Sequence, residues 1–166
     1  MKALYAPDAV PYYATFGLFR LCLNTSSGSA VLEQIDYDAP IPPLSTVPTL
    51  RTVPDESERD GPWQAWTPLG GVLGRPGEFA FGEARGTFTT QVAGFEVDLT
   101  CAEIRDPERR FIELLNVLHV SGEGAQVDDF TIRYTFQDES YELVVPWQMI
   151  GCGRMLPDDL CLPPQE

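Results

Sequence analysis

Four cysteines are the residues of this chain with the most obvious chemistry: Cys22, Cys101, Cys152 and Cys161. Zinc sites typically use closely spaced cysteine pairs with help from histidine, but these cysteines are widely spaced and His119 is the single histidine. A catalytic thiol needs a base to form its thiolate, and His119 lies in "LLNVLHV", where a core or strand-face role is commoner. Two interpretations of the cysteines therefore remain, disulfides and buried free thiols.

Recognised catalytic motifs are missing from the sequence, which contains no GxSxG, no Walker loop, no GxGxxG after a strand and no HExxH. The glycine-containing "SGEGAQ" is followed by a strand pattern, so we interpret it as a turn rather than a phosphate-binding loop. Carboxylate-pair chemistry stays open, since any two of the 25 acidic residues can converge in a fold. We expect a protein that is not an enzyme and that uses no cofactor and no metal ion.

Acidic residues surround two tryptophans in "PDESERDGPWQAWTPLGG". Exposed aromatic residues in loops commonly form binding hot spots, and acids beside them would attract a basic protein partner. The alternative is that the tryptophans pin this segment onto the body of the fold. The acids lack the Asp-x-Asp-x-Asp-Gly spacing of a calcium loop. The predicted partner-binding residues are Asp55, Glu56, Glu58, Asp60, Trp63 and Trp66.

The negative charge of the chain disfavours nucleic acid and anionic membranes as partners. Its 25 acidic and 11 basic residues give a net charge of -14, which repels phosphate backbones and anionic lipid. No apolar run approaches the roughly 18 residues that a membrane helix needs, so we expect no direct membrane insertion. The start, "MKALYAPDAVPYYA", has no signal-peptide hydrophobic region. The chain is therefore either cytoplasmic or an exported protein whose signal has been removed.

Strand patterns rich in Phe, Val, Thr, Ile and Tyr dominate both ends of the sequence, and turn clusters such as "NTSSGS" and "QDES" separate them. Seven or eight short strands at this spacing predict a single all-β domain, an antiparallel sandwich over residues 1–166. A C-terminal tail spans 153–166. The strand-like runs are "TFGLFRLCL", "AVLEQIDY", "EFAFG", "GTFTTQVAGFEVDLTC", "RFIELLNVLHV", "DDFTIRYTF" and "YELVVPW".

A long segment rich in proline and glycine, residues 39–77, interrupts these strands. Because proline cannot donate to a strand ladder, long central strands are not expected there, and "STVPTLRTV" is predicted as a short edge strand. We call residues 39–77 the Pro-rich excursion. It is interpreted as a surface excursion or a partly mobile lid.

Three stretches resemble the immunoglobulin-like β-sandwich domains of secreted or lipid-anchored proteins from high-GC bacteria. "FGLFRLCLNTSSGSAVLEQIDY" is similar to their opening strands, "GFEVDLTC" to a strand that ends on cysteine, and "FTIRYTFQDESYELVVPWQMIGC" to their closing hairpin. Together they cover about half of the chain. These domains are mostly of unassigned function, so the resemblance implies an architecture and an extracytoplasmic compartment but no active site.

An even number of cysteines in a chain with this resemblance favours disulfides. Cys101 and Cys152 each end a predicted strand, which favours a Cys101–Cys152 bridge, with Cys161 then paired to Cys22. The alternative is a local bridge between Cys152 and Cys161.

The sequence therefore predicts an immunoglobulin-like sandwich with a Pro-rich loop insertion. Its predicted function is non-catalytic binding or a structural role in the cell envelope or outside the cell. The alternative is a cytoplasmic acidic immunity or inhibitor protein that binds a basic partner protein. In neither case do we expect nucleic acid as the partner.

Overall fold

The computed structural model of the chain describes residues 2–4, 10–78, 84–106 and 108–161. Strands dominate these residues and the helices among them are single turns, which confirms the predicted all-β class. The strands are β1 (Lys2–Leu4), β2 (Tyr12–Leu21), β3 (Ala30–Asp38), β4 (Ser45–Val53), β5 (Gly71–Leu73), β6 (Thr87–Thr89), β7 (Glu96–Val97), β8 (Phe111–Val120), β9 (Ala125–Val127), β10 (Asp129–Phe136), β11 (Glu139–Val145) and β12 (Met149–Gly151). The helical turns in the same residues are α1 (Asp158–Cys161) and the 3-10 turns Glu56–Glu58, Trp63–Trp66 and Glu103–Arg105.

Two antiparallel sheets form a sandwich-like arrangement around the main core. One sheet has the strand order β5-β2-β8-β4-β6 and the other β11-β10-β3-β7. The Phe19 ring meets the Phe130 ring edge-on across the core, at 5.0 Å between centroids. The Tyr37 hydroxyl of one sheet donates a 2.7 Å hydrogen bond to the Asn116 side chain of the other. A small third sheet, β1-β12-β9, contains the parallel pair β1–β12.

Strand β8 is the centre of the larger sheet and is buried on both faces. Of its ten residues only His119 is partly exposed. One face packs in the sandwich core, and the other is covered by the Pro-rich excursion, where Leu69 contacts Glu113. Two-sided burial explains why "FIELLNVLHV" is nearly continuously apolar, as expected for a strand covered on both faces.

The prediction of a short edge strand in the Pro-rich excursion is wrong. β4 is nine residues long and pairs along its whole length with β8, while β6 lies on its other side. Pro48 is tolerated because β6 pairs only with Leu50–Thr52, so the position of the proline has a strand on one side only. The predicted strand "GTFTTQVAGFEVDLTC" is divided into β6 and β7. The strand predicted at 78–82 lies, apart from Glu78, outside the described residues.

All four cysteines are in disulfides, but the favoured pairing is wrong. The bridges are Cys22–Cys101 and Cys152–Cys161, with Cα–Cα distances of 4.9 and 5.6 Å. Cys22 and Cys101 meet because the Leu23 amide donates to the Leu99 carbonyl and the Cys101 amide donates to the Leu23 carbonyl, which align the two segments side by side. The other bridge is the local alternative, and it holds α1, in the predicted tail, against the third sheet.

Candidate functional site

The two tryptophans of the predicted loop site have different environments. Trp66 is 9 % exposed and belongs to the main core, and its indole nitrogen donates a 2.8 Å hydrogen bond to the Asp60 carbonyl oxygen. The burial of Trp66 favours the alternative interpretation, that this tryptophan pins the excursion onto the fold, over its prediction as a partner-binding residue. A ring with this burial cannot offer a large contact area to a partner. Trp63, in contrast, is 71 % exposed, so its predicted role stays a prediction.

The acidic residues predicted around the tryptophans also differ in their environments. Asp55 accepts a 2.9 Å hydrogen bond from the Arg110 amide, and Asp60 forms an exposed ion pair with Arg85 at 2.6 Å. The Asp55 carboxylate therefore attaches the excursion to the residue before β8, whereas the exposed Asp60 pair contributes little. Glu56 and Glu58 lie on an exposed 3-10 turn, beside the solvent. Of the predicted residues, Trp66 is therefore buried and Asp55 partly buried, whereas the others are exposed: Glu56, Glu58, Asp60 and Trp63.

A fully buried ion pair explains how the excursion is attached. Arg51 of β4 and Glu113 of β8 have no exposed side-chain surface, and their charged atoms lie 3.1 Å apart. Arg51 also donates hydrogen bonds of 2.8 Å to three carbonyl oxygens of the segment that follows β4, those of Ala65, Thr67 and Arg85. One arginine thus binds three separate points of an irregular segment to the sheet.

The carboxylate of Glu113 completes this attachment. One of its oxygens accepts hydrogen bonds from the amides of Leu18 and Leu69, at 2.9 and 2.8 Å. Burial raises the pKa of Glu113, while these amides and the charge of Arg51 act in the opposite direction. Because the charged atoms of both side chains have hydrogen-bond partners in the surrounding backbone or in each other, the pair positions the backbone around it.

A bulge in β2 brings its backbone to the same carboxylate. The register of β2 with β8 shifts between Phe16 and Phe19, and the amide of Gly17 donates to the Gly70 carbonyl. A side chain at position 17 would collide with the Leu69 carbonyl oxygen and lie 2.9 Å from the Glu113 carboxylate. Glycine is therefore required for the excursion to approach β2 this closely.

A well-formed apolar depression lies beside the other sheet. A groove of about 410 Å³ opens between the β10–β11 hairpin and the start of the β2–β3 turn. We call it the hairpin groove and define it by the apolar side chains that line it: Leu21, Leu23, Ile132, Tyr134, Tyr141 and Leu143. The Cys22–Cys101 bridge fixes one wall, since Cys22 also lines the groove. The groove is thus an extension of the sandwich core that no part of the described chain covers.

The outer wall of this groove is the edge strand β11. Tyr134 and Tyr141 stack across the hairpin with ring centroids 5.5 Å apart, and Leu143 is 52 % exposed. Val144 on the opposite face of the strand is 55 % exposed. Monomeric soluble proteins seldom leave several neighbouring large apolar side chains in water, so this edge is typical of an interaction surface.

Other kinds of site find no support in the described ranges 2–4, 10–78, 84–106 and 108–161. In these residues no cluster of His, Cys, Asp and Glu has a geometry that could hold a metal ion. His119 stacks on Tyr13 with ring centroids 4.5 Å apart, and the four cysteines are all in disulfides. No helix in this part of the chain is long and apolar enough to span a membrane.

Sequence reasoning missed both the buried ion pair and the hairpin groove. One signal for the pair was available, because Glu113 interrupts a nearly continuous apolar strand and Arg51 is the charged residue of "STVPTLRTV". The signal for the groove was "YELVV", whose apolar residues fall on both faces of one strand. The sequence does not show that this strand lies at the edge of a sheet, so the exposure of its apolar residues can be recognised only when the strand order is known.

Comparisons of the chain with protein-family models, with curated proteins and with solved structures give no match.

Proposed function

We propose that this chain is a non-catalytic binding domain that works outside the cytoplasm and binds a protein partner through the hairpin groove. The observation that carries the proposal is the uncovered groove itself, apolar along its floor and bounded by an exposed apolar strand. Binding sites are typically concave, mostly apolar and largely preformed. The disulfide beside the groove supplies the rigidity that a preformed site needs.

The cysteines support the proposed compartment. Two disulfides involve every cysteine of the chain, and such bridges persist in oxidising environments such as the cell envelope and the extracellular space. The acidic charge favours the alternative of a cytoplasmic inhibitor, since it would attract a basic partner. We propose the cell envelope or the extracellular space, because a reducing cytoplasm would keep these cysteines as free thiols.

The experiment is site-specific photo-crosslinking in the organism that encodes the chain. A photoreactive phenylalanine analogue replaces Tyr141 in the groove, and a matched variant carries it at Tyr13 on the other sheet. We expect a discrete, light-dependent protein adduct from position 141 that is absent from position 13. Adducts from neither position, or equal adducts from both, would contradict the proposal.

A further inference from the structure

The backbone of β11 is open along its outer side. Over its seven residues β11 pairs with β10, and within the described part of the chain no second strand lies beside it. At about 3.3 Å per residue this edge is roughly 23 Å long. An edge strand presents a row of unpaired N–H and C=O groups that another extended chain can use.

This edge also lacks most of the features by which proteins protect such strands. "ESYELVV" contains no proline and no lysine, and the register shift in β10 lies between Arg133 and Tyr134, where β10 pairs with β3 rather than with β11. Two glutamates and Ser140 interrupt the apolar character of β11, and the glutamates are its charged residues. Side chains of an added strand would alternate, so every second residue would enter the hairpin groove beside Leu143.

Charge determines what kind of strand fits. The segment 137–148 carries the acids Asp138, Glu139 and Glu142 and no basic residue. Arg133 on the neighbouring strand is already shared between Asp36 and Glu142, at 3.2 Å from each. A basic strand would therefore meet uncompensated negative charge. A second copy of this chain would instead bring a net charge of -14 against another -14.

We infer that the partner of the hairpin groove is an extended, basic segment of another protein that adds to the edge of β11 as a further strand. Its apolar residues, at alternate positions, occupy the groove beside Tyr141 and Leu143, and its lysines or arginines lie on the opposite face, along Glu142. Main-chain hydrogen bonds supply affinity in this mode and the alternate side chains supply specificity. The inference rests on the proposed function, since it names the partner of the same groove.

The test uses the whole chain and three synthetic peptides of about ten residues. The first alternates valine with lysine or arginine. The second has the same alternation with glutamate in place of the basic residues, and the third is the first peptide with two valines replaced by proline. Binding is measured by fluorescence anisotropy at low and high salt, and hydrogen exchange reports the protection of individual amides in the chain.

We expect the first peptide to bind at least tenfold more tightly than the other two, to weaken as salt rises and to slow exchange in β11 at least tenfold. Leu143→Arg should abolish this binding. Leu44→Arg is the matched control, a leucine exposed to a similar extent (58 %) that lies outside the groove, and it should bind as the wild type does.

Peptide binding without protection of β11, or equal binding by the proline peptide, would overturn strand addition. Failure of all three peptides would overturn it too, and the crosslink from position 141 would then show whether the groove still has a partner of another kind. A dimer of the chain that Leu143→Arg dissociates would overturn the inference in favour of a second copy.

Discussion

Arg51→Met should lower the free energy of unfolding by about 3–5 kcal/mol, because it removes one member of a fully buried ion pair and leaves the other charged. Methionine fills much of the space of the arginine, so the loss comes from charge and hydrogen bonding more than from a cavity. The carbonyl oxygens of Ala65, Thr67 and Arg85 lose a donor as well. The Ala65 carbonyl keeps the Arg85 amide as a donor. An unsatisfied buried carbonyl at Thr67 or Arg85 costs about 1–3 kcal/mol, and less where water enters beneath a loosened excursion.

Urea denaturation followed by tryptophan fluorescence measures this change, since the Trp66 indole lies in the segment that Arg51 holds. The matched control is Arg133→Met, which removes an arginine whose ion pairs are half exposed and which should cost about 0–1 kcal/mol. Hydrogen exchange in residues 63–70 should also rise more than exchange in β3. An Arg51→Met protein within about 1 kcal/mol of the wild type would refute the role assigned to the buried pair.

Three further changes follow from the same structure. Trp66→Ala should cost about 3–5 kcal/mol in chemical denaturation, whereas Trp63→Ala should stay within about 0.5 kcal/mol. Removing the Cys22–Cys101 bridge should cost about 4.5 kcal/mol and removing the Cys152–Cys161 bridge about 2.6 kcal/mol in the chain-entropy model, because the first closes a loop of 79 residues and the second one of 9. Backbone and side-chain hydrogen bonds from Thr100 lower the pKa of Glu103. The ionised carboxylate therefore stabilises the folded state above the ordinary pKa of 4.5, and this stability is lost as the pH falls through the lowered pKa. Thermal melts from pH 6 to about pH 2 should show a shallower loss of stability for Glu103→Gln than for the wild type.

Each of these predictions has an outcome that would contradict it. Equal losses for the two tryptophan variants would mean that burial does not separate them. A larger loss from the shorter loop would show that the third sheet depends on its bridge for more than loop closure. Identical acid melts for wild type and Glu103→Gln would remove Glu103 from the pH dependence, and Glu108→Gln, an exposed acid nearby, is the control.

The sequence was sufficient for the fold class because period-two alternation and turn clusters are local signals. The sequence was insufficient to predict β4 as a long inner strand. Proline is excluded from a strand position only where a neighbouring strand needs its N–H, and β6 pairs with Leu50–Thr52 and does not reach the level of Pro48. The pairing of the cysteines failed for a related reason. The two candidate partners of Cys101 were Cys22 and Cys152, and each lies just after the end of a strand. The backbone hydrogen bonds that align Leu23 with Leu99 and Cys101 place Cys22 beside Cys101.

The environment of Trp66 differs from the sequence prediction for a physical reason as well. Tryptophans among acids and prolines are typical of an exposed loop, but a buried charge beneath the loop reverses that expectation. Arg51 donates a hydrogen bond to the Ala65 carbonyl oxygen from inside the fold, and the next residue, Trp66, is buried in the core. The hairpin groove was hidden because its exposure depends on β11 being the last strand of its sheet.

Hydrogen exchange of the chain alone and with the protein captured by the position-141 crosslink tests the central claim most directly. The account predicts slower exchange confined to the β10–β11 hairpin, residues 129–145, and to the segment around Cys22 that forms the opposite wall of the groove. Slower exchange at 54–70 around Trp63, with the hairpin unchanged, would contradict it and return the binding site to the Pro-rich excursion.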